Sequence, residues 1–208
     1  MVYTKRIDKR KFDEVRELEA KVGIIKRADG SAMFRMGKTI ALAAVYAHRN
    51  AGSFPTNKRD SSKEGILNCT YDLLSFSVTD RKRPGPSRRS TEISMVIEKA
   101  LLPVLELSKL PNTRVDVYMY IIQADAGTRT AAINAASLAL ADAGLIMKEL
   151  VSSVAVGKVG DKIVVDLTKE EEDYKDGTTD LPVAMIAKTG EITLVQLDGD
   201  MTKKEIIE

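Results

Sequence analysis

Along the first half of the chain the apolar positions come in short runs cut by turn-forming residues. VRELEAKVGIIK (15–26), SAMFRM (31–36) and TIALAAVYA (39–47) are separated by RADG and by Gly37-Lys38, the pattern of a β-meander. IALAAVYA (40–47) is the longest apolar run. It falls far short of the roughly 20 residues needed to cross a bilayer and reads as a buried strand. Residues 48–64, HRNAGSFPTNKRDSSKE, mix Gly, Pro, Asn, Ser and charge without periodicity and predict a surface loop, followed by a strand over about 66–76.

The period then changes. In SRRSTEISMVIEKALLPVLEL, Ile93, Val96, Ile97, Ala100, Leu101 and Val104 recur at helical spacing, so a helix starts at or just after Arg88 and Arg89. TRVDVYMYIIQAD (113–125) alternates as a strand, and TAAINAASLALADAG (130–144) is an Ala-rich helix stopped at Gly144. Further strands are predicted near 151–159, 162–167, 181–187 and 191–197, with the acidic segment TKEEEDYKDGTTD (168–180) in their midst and a short helix from Thr202. Strands followed by a helix occur twice. The expected fold is α+β, two β-rich halves with helices packed on one side, with residues 1–208 forming a single domain.

Composition narrows the chemistry. The 208 residues are 44% hydrophobic, enough for a sizeable core, and 32 basic against 30 acidic side chains leave a net charge of only +2. Affinity for a polyanion must therefore come from local clustering. One Cys (Cys69) and one His (His48) exclude an internal disulfide and Cys/His zinc clusters, and a Ser-His-Asp set would rest on His48 alone. The N-terminus is too charged for a signal peptide, so a cytoplasmic protein without a membrane partner is expected. Any chemistry has to run on Asp, Glu, Arg, Lys and hydroxyl groups.

Three segments carry such groups. RKRPGPSRR (81–89) holds Arg81-Lys82-Arg83 and Arg88-Arg89 either side of a Pro-Gly-Pro-Ser elbow. Cations at a helix N-terminus oppose the macrodipole; an anion shared by the arginines and the free helix N–H groups would explain Arg88 and Arg89. Lys58-Arg59 forms a second basic contact candidate. In QADAGTRTAAIN (123–134), Gly127 lets the backbone approach a ligand, and Thr128, Arg129 and Thr130 open a helix as an oxyanion cradle. In the acidic segment, Glu170–Asp173 is expected to face solvent, whereas Asp180 stands at the mouth of a buried strand; Asp173 and Asp180 together are candidates to hold a hard cation. Each segment also has a plainer reading: a solvated basic loop, a helix capped by Thr128, a solvated acidic turn. Jointly they form a parts list for chemistry on phosphodiesters.

RADGSA (27–32), RKRPGPSRR, QADAGTR with ASLALADAG (136–144), DLPVAM (180–185) and VQLDGDMT (195–202) closely resemble, in this order, the RNase PH family and within it the catalytic ring subunits of archaeal exosomes. The resemblance implies a fold of two halves of the ribosomal-protein-S5-domain-2 type and a phosphate-dependent exoribonuclease acting from the 3′ end of single-stranded RNA. It implies that Arg88 and Arg89 grip RNA phosphates near the scissile bond; Arg81 and Arg83 are further candidates for RNA contact, and Lys58 and Arg59 would compensate for basic side chains that NCTYD (68–72) lacks relative to the family. Gly127, Thr128 and Arg129 would hold inorganic phosphate as co-substrate. Asp173 and Asp180 would form the acidic pair, holding Mg²⁺ (or Mn²⁺), with Asp180 as metal ligand or acid. The implied assembly is a six-membered ring alternating with a non-catalytic subunit and capped by RNA-binding proteins. A site without histidine suits this chemistry, because inorganic phosphate is already an anionic nucleophile near neutral pH. Relatives continue through a long C-terminal helix where this sequence ends MTKKEIIE, and the Asp173–Asp180 spacing of seven is one longer than the family's. A ring subunit that binds RNA without activity, and a homo-hexameric enzyme trimming transfer RNA 3′ ends, are the alternatives.

Overall fold

The computed structural model describes residues 3–49, 64–174 and 178–207. The predicted meander forms: β1 (Leu18–Val22), β2 (Gly30–Met36) and β3 (Thr39–Arg49) run antiparallel. β4 (Ile66–Leu73) and β5 (Thr113–Gln123) extend this first sheet in the order β1-β2-β3-β5-β4. β4 and β5 are parallel. A parallel pair cannot be joined by a tight turn, and α1 (Arg88–Leu101) supplies the crossover. The second sheet is antiparallel in the order β7-β6-β8-β9, from β6 (Val151–Val159), β7 (Lys162–Val165), β8 (Thr178–Ile186) and β9 (Ile192–Val195).

α2 (Thr128–Asp142) touches strands of both sheets. Its sequence is apolar nearly all round, as a helix enclosed on every side must be; Ala131, Ala132, Ile133, Ala135, Ala136, Ala139 and Leu140 are inaccessible to solvent. Alanines let the sheet come close. At Gly30 on β2 an added Cβ would lie 2.3 Å from the Ala139 carbonyl oxygen. α1 and α2 thus cover one face of the first sheet, and the second sheet closes over α2. The core is continuous from Ala32 and Val45 through Ile97 and Ile133 to Val151 and Ile186.

Residues 3–17 contain no helix or strand, yet two buried ion pairs fasten them to the second half. Arg6 donates from Nε and Nη2 to Glu171 (2.9 and 2.7 Å), and both side chains are 0% exposed. Arg16 donates from Nε and Nη2 to Asp166 (2.9 and 2.7 Å), whose Oδ2 also accepts from the Arg16 backbone N–H at 2.7 Å. Such pairs hold only where further hydrogen bonds accompany the charges; Arg6 also donates to four backbone carbonyls and Arg16 to that of Asp125.

Several elements depart from the sequence pattern for local reasons. β1 stops at Val22 because Gly23 takes φ 67. β4 ends at Leu73, three residues early: Asp72 Oδ1 accepts from the Leu73 N–H, and the chain turns as Ser77 N–H donates to Leu74 O. β7 ends at Val165 because Asp166, at φ 56, turns its carboxylate towards Arg16. The acidic segment contains a one-turn helix, α3 (Lys169–Glu172), capped by a reciprocal Thr168–Glu171 box. Glu171 is therefore fully buried and Glu172 half-buried, which corrects the solvent-facing expectation for these two, while Glu170 and Asp173 are exposed as expected. α4 (Lys203–Ile207) follows Thr202 as predicted. Among the described residues no helix is long and apolar enough to cross a membrane.

Candidate active site

A cavity of about 540 Å³ opens where the segment after β4, the start of α1, the β5–α2 turn, α3 and β8 meet. Its anion-binding side is built by the β5–α2 turn. Ala126 (φ 57) and Gly127 (φ 61) both adopt the left-handed conformation, which reverses the chain and places Gly127 at the N-cap of α2. Among the described residues no side chain caps this helix. The sequence alternative of a Thr128 cap does not hold, and the first-turn N–H groups are left for a ligand. Gly127, Thr128, Arg129 and Thr130 all line the cavity.

The turn is braced from behind. Thr39 Oγ1 donates to Ala126 O at 2.6 Å and accepts from the Asp125 N–H at 2.9 Å. Arg16 Nη1 donates to Asp125 O, and Thr130 Oγ1 donates to Gly127 O at 2.8 Å. A Cβ on Gly127 would meet Arg16 Nη2 at 3.2 Å and Thr130 Oγ1 at 3.3 Å, so glycine spares a tight contact as well as favouring φ 61.

Of the basic elbow, Ser87 caps α1 in a reciprocal box with Ser90, which fixes Arg89 in the second helical position, lining the cavity. Arg88 lies beside it, exposed and outside the lining. Arg81 and Arg83 are likewise exposed and outside the lining, whereas Lys82, not singled out by the sequence reading, is drawn in by an ion pair with Asp72 at the end of β4. Lys58 and Arg59 lie outside the described residues.

The carboxylates rearrange the expected pair. Asp180, on β8, lines the cavity; Asp173 does not. The Asp173 side chain is 64% exposed and paired with Lys169 Nζ at 2.8 Å. Glu172 takes its place opposite Asp180, because the turn of α3 directs Glu172 inward and Asp173 out. Thr168-x-x-Glu171 was the signal that could have located this helix and so oriented its residues. Burial pushes the Asp180 pKa above the ordinary carboxylate value; Arg129 and Arg89 pull it down and Asp198 adds to the rise. Burial, then the charge of Asp180, raises Glu172 against the opposing pull of Lys169 and Arg89.

Of the buried side-chain atoms without a hydrogen-bond partner among the described residues, two belong to residues that line this cavity: Asp180 Oδ1 and Arg129 Nε. Leaving such groups dry costs free energy unless a ligand completes them. Arg129 is held by its other end, Nη1 donating to Gln196 Oε1, and Gln196 Nε2 reaches Glu92 Oε1 at 3.4 Å. Among the described residues no cluster of three or more His, Cys, Asp or Glu is arranged for a metal ion. The carboxylates lining this cavity are Asp80, Glu172 and Asp180. The cavity brings together helix N–H groups, Arg89, Arg129, Lys82 and Lys169, an arrangement that can seat phosphate groups, beside carboxyls of raised proton affinity.

Known proteins resemble this chain in sequence and in fold. Residues 14–145 match the model of the 3′ exoribonuclease family, domain 1, and residues 149–208 match domain 2 of the same family. The exosome complex component Rrp41 of Thermococcus kodakarensis is 50% identical over 204 residues, 98% of this chain and 80% of that protein. The exosome complex component Rrp41 of Methanosarcina mazei is 49% identical over 201 residues, 97% of this chain and 40% of that protein. A solved structure of the Archaeoglobus fulgidus exosome with RNA bound to the active site contains a chain of the same fold, with TM-score 0.83 and 24% identity, covering 98% of this chain and 86% of that one. With both domain models matched in order over almost the whole sequence, this chain belongs to the 3′ exoribonuclease family of RNase PH type.

Proposed function

We propose that the chain is a phosphorolytic 3′→5′ exoribonuclease subunit of an exosome ring. The observation that carries the reading is the meeting, in one cavity, of Arg89, the Gly127–Arg129 turn and Asp180, drawn from three separate segments of the chain. Inorganic phosphate sits on the first-turn N–H groups of α2 with Arg129. Arg89 and Lys82 hold the terminal phosphodiester of single-stranded RNA, with Arg88, Arg81 and Arg83 on the approach.

An oxygen of the bound phosphate attacks the phosphorus of the last linkage, the bond to the 3′ oxygen of the preceding nucleotide breaks, and a nucleoside diphosphate leaves. The obstacle is bringing two anions together. Arg129, Arg89 and Lys82 lower it by neutralising charge as it builds. The departing 3′ oxygen needs a proton. The Asp180–Glu172 pair, whose burial favours the protonated form of each, is suited to share and deliver one. The same two carboxylates would hold Mg²⁺ or Mn²⁺; the unpartnered Asp180 Oδ1 fits such an ion, whose contribution is further neutralisation of phosphate charge. Exchange of a phosphodiester for an anhydride makes the reaction reversible, so RNA extension from nucleoside diphosphates is expected.

The ring reading is supported by both sheet edges. β1 exposes Leu18 and Val22, and β9 with its continuation exposes Ile192, Val195 and Leu197. Apolar edges of this kind call for neighbours, here a non-catalytic subunit alternating in a hexamer with RNA-binding cap proteins above. The core shared by both matched segments supports treating residues 1–208 as one unit, and the setting is the cytoplasm. Asp180→Ala tests the enzyme reading against an RNA-binding scaffold: diphosphate release is lost by at least a hundredfold while RNA affinity stays within about threefold. Unchanged turnover would rule Asp180 out.

A further inference from the structure

Tyr71 lies beneath the anion-binding turn and is absent from the cavity lining. It sits on β4 in register with Met119 of β5, only 1% exposed, its backbone N–H donating to Ser94 Oγ at 2.8 Å. Its hydroxyl is the one polar atom of an otherwise apolar side chain, and it donates to Thr128 Oγ1 at 2.9 Å.

A threonine hydroxyl has one proton and two lone pairs. Once it accepts from Tyr71, the proton of Thr128 points away from that bond. Among the described residues no acceptor takes it, and Thr128 neither caps α2 nor faces the core alone, since it lines the cavity. Burial holds the Tyr71 phenol protonated, pushed up to about 12 against the opposing effects of Thr128, Arg89 and Arg129, so the donation persists at any working pH.

We infer that Tyr71 is a positioning residue for phosphate: it fixes the Thr128 hydroxyl as a donor into the cavity, adding an oriented O–H to the helix N–H groups. Without it the hydroxyl is free to turn its own proton towards the sheet and present a lone pair to the anion. The inference rests on the reading of this turn as the phosphate seat. It extends that reading to a buried residue two elements away.

The test measures binding of inorganic phosphate to the full-length chain by calorimetric titration, in wild type, Tyr71→Phe, Thr128→Val and the double variant, with RNA affinity and thermal unfolding measured alongside. Tyr71→Phe keeps the ring and removes only the oxygen. It is expected to weaken phosphate binding about three- to tenfold, the worth of one neutral hydrogen bond, with RNA affinity within about twofold. The double variant is expected to bind phosphate no more weakly than Thr128→Val alone, because the tyrosine acts through the threonine. Unchanged phosphate affinity in Tyr71→Phe, losses that multiply in the double variant, or an equal loss of RNA and phosphate binding would each overturn the assignment. Wild type that binds phosphate yet releases no diphosphate from RNA would sink the enzymatic reading instead, leaving the binding comparison to judge Tyr71.

Discussion

Glu171→Ala is the substitution whose cost follows most directly from the structure. The carboxylate accepts from Tyr3 Oη (2.8 Å), Arg6 Nε (2.9 Å), Arg6 Nη2 (2.7 Å) and the Thr168 N–H (3.0 Å). Its partner cannot escape to water, because Arg6 also donates to the carbonyls of Lys11, Glu14, Val165 and Asp166 at 2.8–3.2 Å. Truncation leaves a guanidinium at 0% exposure with only the partly exposed Asp8 carboxylate, 3.9 Å away, as counter-charge, and removing one member of a buried pair costs about 3–5 kcal/mol. That is a large share of the stability of an ordinary domain.

Burial alone would raise the Glu171 pKa, but the bonds from Arg6, the Thr168 backbone and Tyr3 outweigh it and hold the group below its ordinary value. A lowered folded-state pKa contributes stability that is present above the unfolded value of about 4.3 and is lost as pH falls through the folded value. The variant lacks this component. Guanidinium unfolding at neutral and acid pH is the assay. A loss below about 1 kcal/mol at pH 7, or an unchanged gap between wild type and variant on acidification, would refute the reasoning.

Three further outcomes follow from the site. Gly127→Ala forces a Cβ into a left-handed residue, at about 1–2 kcal/mol, and against Arg16 Nη2 at 3.2 Å; half-saturation for phosphate should rise more than tenfold with a modest fall in melting temperature, and unaltered phosphate dependence would contradict the cradle. Asp180 has a raised folded pKa, so its contribution to stability is present below the unfolded value of about 3.9 and is lost as pH rises through the folded one. Asp180→Asn should therefore melt higher than wild type at pH 7, though not in acid, while losing turnover; an equal or lower melting temperature at pH 7 would show that its environment does not penalise charge. Glu172→Gln should cut turnover at least tenfold and Asp173→Asn less than twofold, as steady-state kinetics would read; the reverse ranking would restore Asp173 to the site.

The order of elements was legible because each rests on a local signal: period-two runs for the meander, 3.6-residue spacing from Ile93 to Val104, and Gly144 as a stop. The Gly127 turn and the place of Arg89 at the start of α1 were legible for the same reason, since a glycine before a polar helix start and the onset of helical spacing act within a few residues, although the Ser87 cap itself went unread. What was not legible depends on partners far along the chain. Glu171 reads as one more surface carboxylate until Arg6, 165 positions earlier, is folded onto it. The choice of Lys82 over Arg81 and Arg83 is made by Asp72, and that of Glu172 over Asp173 by where α3 docks. Tyr71 looks like any aromatic on a buried strand; only the packing of α2 puts Thr128 at its hydroxyl.

The central claim is that phosphate, not water, cleaves RNA in this cavity. The most direct measurement incubates the protein, alone and with a ring partner, with 5′-labelled single-stranded RNA and Mg²⁺, with and without inorganic phosphate, and identifies the released mononucleotides. The account predicts stepwise shortening from the 3′ end only when phosphate is present, with nucleoside diphosphates as product. Monophosphates released without phosphate, or RNA bound and left intact in both preparations, would contradict it.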